Sequence, residues 1–220
     1  MMTSGDFLFW VRGPAFQIAT AIFAFGISWH LLEILSLGRK PDRSVPRGSR
    51  MLGGLRTIFS RSIADKSIFQ SSAFTIVASY IFHLGFFIVL FLLVPHIMLF
   101  QALLGFGWAG LPTTLIDVIT IITLLALLAL LIHRLKNPVR RFLSTFEDYL
   151  AWTVTFLALL TGYLAYHHSI QPYSLVLGLH ILSVEILMVV FPFTKLMHTF
   201  TFIIARWYIG ANAGHRGIQL

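Results

Sequence analysis

The chain contains no cysteine, which removes thiolate metal sites, iron–sulfur clusters, disulfides and cysteine nucleophiles from consideration. Any metal must then be held by the nine histidines or by carboxylates, and the chain has only eight Asp and Glu. Charge of either sign is scarce: Asp, Glu, Lys and Arg make up 11% of 220 residues, against 57% hydrophobic residues and a mean hydropathy of +0.85. Water-soluble domains carry roughly 25% charged residues, so a soluble fold does not fit. Intrinsic disorder is excluded more firmly, because 21 Phe, 6 Tyr and 5 Trp cannot remain unburied. What the chain does have is long apolar runs, the mark of a helical membrane protein.

A bilayer core of about 30 Å needs roughly 20 apolar residues in helix. Five stretches meet that length, near Pro14–Leu37, Phe74–Phe100, Thr114–Ile132, Leu150–Tyr166 and Ser174–Phe193, the last continuing as an amphipathic helix towards Arg206. The expected fold is an all-α membrane protein, a five-helix transmembrane bundle forming a single domain over residues 1–220. The first run is too long for a cleavable signal peptide. It also carries His30 and Glu33 and ends in Leu-Gly-Arg-Lys, so it is expected to stay in the mature protein. No internal repeat or inverted pair of broken spans is visible, which argues against a secondary transporter.

The net charge of +8 is distributed on one side. Gly38–Ser72 carries Arg39, Lys40, Arg43, Arg47, Arg50, Arg56, Arg61 and Lys66; the connection after the third run carries Arg134, Lys136, Arg140 and Arg141; the C-terminal part carries Lys195, Arg206 and Arg216. Arg12 alone falls on the other side, and the connections Gly105–Thr113 and His167–Tyr173 hold no Lys or Arg. The positive-inside rule then predicts the N-terminus outside and the C-terminus inside. Topology, with attraction to anionic lipids or an acidic partner, accounts for the basic excess. No aromatic-interleaved basic strand or recognition helix accompanies it, so nucleic acid is not an expected partner.

Ionisable groups inside a span are costly and mark functional sites. His133 sits beside Arg134 at the end of a span, His167 and His168 at the end of another, and His215 in a polar tail; solvated or interfacial roles are expected for these four. His30, His83, His96, His180 and His198 lie within spans or at their ends. His180 and His198 are 18 residues apart, five turns of an unbroken helix, so they are expected to share one face about 27 Å apart. The second span runs the opposite way, so depth pairs His83 with His198 on the inside and His96 with His180 on the outside. Neutral imidazole is an axial ligand of haem iron, and a haem between two antiparallel helices would use one His from each. Diiron and zinc sites need three or four ligands at one depth, for which these histidines lack the spacing.

At these same residues the chain resembles a known family. Ala78-Ser-Tyr-Ile-Phe-His83-Leu-Gly85 resembles the start of the second helix in the gamma subunit of respiratory nitrate reductase, a membrane cytochrome b. Leu179-His180 through Phe191-Pro192-Phe193-Thr-Lys195-Leu196-Met-His198 resembles that family's fifth helix. The family includes related cytochrome b subunits of heterodisulfide-reductase-like and sulfite-reduction-linked complexes. Five spans, an outside N-terminus and a length near 220 residues match across the chain. The resemblance implies that His83 and His198 ligate a haem nearer the inner face, and that His180 is one ligand of an outer haem. Where the family places its second His on the second helix, this chain has Leu93, and His96 in Val94-Pro95-His96 is the nearest candidate. In a straight helix His96 points roughly 220° away from His83, and Pro95 supplies a means of re-aiming it. His30 is an alternative ligand ranked below His96.

The expectation is a dihaem cytochrome b, with two haems b or one at minimum. It would anchor a respiratory oxidoreductase in a bacterial or archaeal cytoplasmic membrane and pass electrons between menaquinone or ubiquinone and an iron–sulfur subunit. That subunit and a catalytic subunit would dock at the basic inner face, and any enzyme activity would belong to the complex. Glu185 is read either as hydrogen-bonded to a Ser or Tyr or as a proton acceptor beside a quinol site, together with His167 and His168. Lys195 would contact a haem propionate or snorkel to the headgroups. The rival readings are a monohaem relative, a small proton-coupled transporter or channel without haem, and a cofactor-free anchor.

Overall fold

The computed structural model describes residues 3–38 and 42–218; Arg39 and Lys40 of the basic connection lie outside the described residues. The described residues are predominantly helical, with no strand. Five helices are long and apolar enough to cross a membrane: Ser4–Ser36, Lys66–Leu92, Thr113–Lys136, Phe146–Tyr166 and Tyr173–Phe193.

The first begins with a capping box, in which Thr3 Oγ1 accepts from the Asp6 N–H at 3.2 Å and the Asp6 carboxylate accepts from the Thr3 N–H at 2.9 Å. Helix α1 (Ser4–Trp10) passes through one π turn, Val11–Ala15, into α2 (Phe16–Ser36). Pro14 lies in that turn, where its missing N–H breaks the regular ladder. Then come α3 (Arg50–Ser60), α4 (Lys66–Leu92), α5 (Val94–Leu104), α6 (Thr113–Lys136), α7 (Pro138–Leu143), α8 (Phe146–Tyr166), α9 (Tyr173–Val190) and α10 (His198–His215).

Two expected helices are interrupted. The run Phe74–Phe100 is not one helix: Leu93 is extended (φ −77°, ψ 126°), so α4 stops and α5 restarts with Pro95 in its first turn. Proline there needs no donor, while it could not have continued α4. The broken end is resealed by hydrogen bonds to its last carbonyls. Trp108 Nε1 donates to Phe91 O at 2.6 Å, the Leu111 N–H to Leu92 O at 3.0 Å, and His96 Nδ1 lies 3.1 Å from Val89 O. Nor does the last span continue unbroken towards Arg206. Two 3₁₀ turns, Phe191–Phe193 and Lys195–Met197, flank an extended Thr194 (φ −131°, ψ 178°) before α10 begins. The shared-face argument for His180 and His198 therefore does not carry across residues 191–197.

The chain divides into two compact units: Met1–Ala19 with Ala73–Leu187, and Thr20–Ser72 with Met188–Leu220. In the first, Ile116 and Thr123 of α6 are fully buried. Gly85 of α4 lies against the Thr123 side chain with no room for a Cβ. Trp152 Nε1 joins α8 to α6 by donating to Leu127 O at 2.8 Å.

In the second unit α3 and α10 pack along a glycine seam. Cβ atoms added at Gly53, Gly210 or Gly214 would overlap the facing backbone, which is how small residues let two helices approach. The loop before α3 is clasped by the end of α10: Arg216 Nε donates to Asp42 Oδ2 at 2.9 Å, and the Arg47 N–H to His215 O at 2.8 Å. The Ser44 backbone N–H and hydroxyl, with Arg216, hold the Asp42 carboxyl well below the usual carboxylate range. His215, expected in a solvated tail, is 6% exposed, with Nε2 3.1 Å from Ser44 O. The tail folds back because the glycine seam extends to Gly214.

Gly210→Val should force α3 and α10 apart and cost about 1–3 kcal/mol, seen as a lower Tm of the purified protein in detergent. Gly13→Ala, where an added Cβ meets no neighbouring side chain or facing backbone within 4 Å, should not lower Tm.

Candidate functional site

The first unit brings together two of the histidines singled out from sequence. The rings of His96 on α5 and His180 on α9 have centroids 6.3 Å apart and planes within 25° of parallel. The break at Leu93 makes this approach available, because it frees His96 from the direction that a straight helix would impose.

Each ring is oriented through Nδ1. For His96 the partner is Val89 O at 3.1 Å. For His180 it is Thr161 Oγ1 at 3.3 Å; that hydroxyl donates to Leu157 O at 2.6 Å, so an oxygen lone pair is left for Nδ1–H. Ser183 Oγ lies 2.9 Å from Thr161 Oγ1 and 2.7 Å from His180 O, so its one proton serves either the contact to α8 or the carbonyl of its own helix. Gly162 leaves space for the imidazole: a Cβ there would sit 2.9 Å from His180 Cε1. With Nδ1 protonated and bonded to oxygen, the lone pair of each ring is on Nε2, the arrangement that orients a metal-binding imidazole.

His83 follows the same rule in the first unit, with Nδ1 2.7 Å from Ser79 O on α4. So does His198 in the second, with Nδ1 2.7 Å from Lys195 O at the start of α10. Each is described within its own unit. Lys195 is exposed, in the 3₁₀ turn before α10.

Two imidazoles bound to one metal by bonds of about 2 Å place their ring centres roughly 6 Å apart. The His96–His180 centroid separation is of that size. Among the described residues no group of three or more His, Cys, Asp or Glu side chains could hold a metal ion. The donors that are present at this point are two imidazoles, one from α5 and one from α9.

Glu185 is 4% exposed, and among the described residues neither carboxylate oxygen has a hydrogen-bond partner. The expected bond to a neighbouring Ser or Tyr is not formed. His167 is not simply solvated: its Nε2 lies 3.0 Å from Asp117 Oδ1 on α6, and its ring centroid is 4.4 Å from that of Tyr163. His168, in the left-handed region at φ 51°, stacks on Tyr173 at 4.2 Å. His133 packs against Phe74 at 4.8 Å, and His30 lies 3.4 Å from Glu33. Sequence reasoning missed Asp117, Thr161 and Gly162. Asp117 was legible as a carboxylate inside an apolar run, and Thr161-Gly162 as small residues that permit close helix approach.

Composition, helix lengths and these buried polar groups define the class: an all-helical, multi-pass membrane protein. No family model matches the chain, and no solved structure matches it. A protein of Nitratidesulfovibrio vulgaris is 30% identical over 143 residues, a match covering 65% of this chain and 63% of that relative.

A buried carboxyl without a partner is held at the expense of stability. Glu185→Leu should therefore raise the unfolding free energy by about 1–3 kcal/mol, read as an increased Tm in detergent. A decreased Tm would mean that the carboxyl has a structural partner.

Proposed function

We propose that the chain is the membrane cytochrome b of a respiratory oxidoreductase, resembling the nitrate reductase gamma subunit. The observation that carries this reading is the neighbouring pair His96 and His180, two imidazoles on two helices with ring centroids 6.3 Å apart and each Nδ1 held by an oxygen. A haem bound there would supply one-electron chemistry within the membrane. His96 and His180 would hold it through Nε2; Val89 O and Thr161 fix their tautomers, and Gly162 keeps the pocket wall thin at the ring. The resemblance alone implies that His83 and His198 would each be a ligand of a second haem, and Lys195 a contact of a propionate or the headgroups.

On this reading the N-terminus is outside and the C-terminus inside a bacterial or archaeal cytoplasmic membrane, as the distribution of Lys and Arg supports. The outer site would exchange electrons with menaquinol or ubiquinol. Quinol oxidation releases protons, and Glu185 supplies a carboxylate without a competing partner to take one. His167, with Asp117 behind it, and His168 supply further proton acceptors at the end of α8. An iron–sulfur subunit and a catalytic subunit would dock at the basic inner connections. The orphan Glu185 also favours a second reading, a proton-coupled transporter or channel without haem.

Haem content of purified variants separates the readings. His180→Ala and His96→Ala should each lose one haem and keep the other, while His83→Ala should lose the other one. If His96→Ala retains full haem while His180→Ala loses one, the pairing is wrong. If no variant or wild-type sample contains haem, the transporter reading stands.

A further inference from the structure

Helix α3 has two opposite faces, only one of which is used inside the chain. At about 100° per residue, Gly53 and Thr57 lie on the side that packs on α10. Met51, Leu52, Leu55 and Phe59 fall within an arc of roughly 100° on the other side. These four are 66%, 67%, 41% and 73% exposed, and Ile63, just beyond the helix, is 80% exposed. Arg56 borders the arc, Arg61 and Lys66 follow it in the chain, and Arg50 opens the helix; all four cations are exposed. No acidic residue occurs in α3, and the nearest, Asp65, is engaged in capping α4 by accepting from the Ser67 N–H at 2.9 Å.

The position of α3 in the chain identifies what meets this face. Only residues 61–65 separate it from α4, whose first turns are set off by a kink at Ser72 (φ −139°, ψ 23°) from the apolar length that can span a membrane, so its C-terminal end cannot lie more than about 20 Å from the start of α4. An apolar stripe bordered by arginines, tethered this closely to the helix that carries a membrane span, has the chemistry of a helix lying in the headgroup layer. We propose that α3 is an interfacial helix. Its Met51–Leu52–Leu55–Phe59 face enters the acyl boundary of the bilayer, while Arg50, Arg56, Arg61 and Lys66 bind anionic lipid headgroups. The glycine seam to α10 holds the stripe in one orientation, so α10 is fixed against the membrane surface through α3. The inference does not rest on haem or on any partner subunit.

Because the chain has no cysteine, single nitroxide labels can be placed without further substitutions. Full-length Leu55→Cys, Phe59→Cys and Ser60→Cys proteins, labelled and reconstituted in phosphatidylcholine vesicles with and without phosphatidylglycerol, are read by power-saturation EPR. Ser60 lies outside the apolar arc. In anionic vesicles the labels at 55 and 59 should collide with oxygen about threefold more than with a water-soluble nickel chelate, and the label at 60 should show the reverse. Arg56→Gln/Arg61→Gln in the Phe59→Cys background should lower the oxygen preference and remove its dependence on phosphatidylglycerol. Equal nickel access at 55, 59 and 60 would overturn the proposal, because the face would then be in water. Spin–spin broadening at 59 would overturn it in favour of a second copy of the chain. An oxygen preference identical in neutral vesicles would overturn the anionic-headgroup assignment. Retained Tm in each variant excludes unfolding as the cause, since all substituted side chains are exposed.

Discussion

Lipid hydrocarbon offers no hydrogen bonds, so every backbone group freed within the membrane must find a partner in the protein, at a cost of several kcal/mol if it does not. The chain breaks its second span at Leu93 and meets that constraint with side chains and a loop: Trp108, the Leu111 N–H and His96 take the carbonyls at the end of α4. The break is thus part of the fold and also its functional opportunity. Val89 O already accepts from the Leu93 N–H at 3.3 Å, and His96 Nδ1, 3.1 Å away, is a second partner that holds the ring beside His180, with Nε2 as the nitrogen bearing the lone pair. A straight α4 would satisfy the backbone equally well and would lose the pair.

The same constraint explains the polar residues elsewhere in the spans. Thr120, Thr123, Thr155 and Thr161 donate to carbonyls four residues back, which hides their hydroxyls within their own helices. Glu185 stands apart, because a carboxyl buried with no partner is not required by packing. Helix approach is governed by glycine in both units: Gly85 and Gly162 in one, Gly53, Gly210 and Gly214 in the other. In lipid, where apolar surface has no preference for protein over acyl chains, such close backbone contact is a main source of association energy.

The helical class and the five spans were legible because each rests on a length of uninterrupted apolar sequence, which the bilayer thickness makes decisive. The histidines within those lengths were legible for the same reason, being polar groups in apolar runs. Less visible were the interruptions. Pro95 signalled that the second span could bend, but its sequence did not state that Leu93 would leave the helix. Pro192 and Thr194 divide the last span from α10, against the simple reading of an 18-residue repeat between His180 and His198. Contacts between distant residues were hidden altogether: His167 with Asp117 is 50 residues apart, and the burial of His215 depends on a loop 171 residues earlier.

The central claim is that a few oriented histidines, rather than the conspicuous basic charge, carry the chemistry. The most direct test is the reduced-minus-oxidised absorption spectrum of the purified wild-type chain, with haem quantified against protein. The account predicts a b-type alpha band and about two haems per chain. A preparation that folds, inserts into membranes and contains no haem would contradict it.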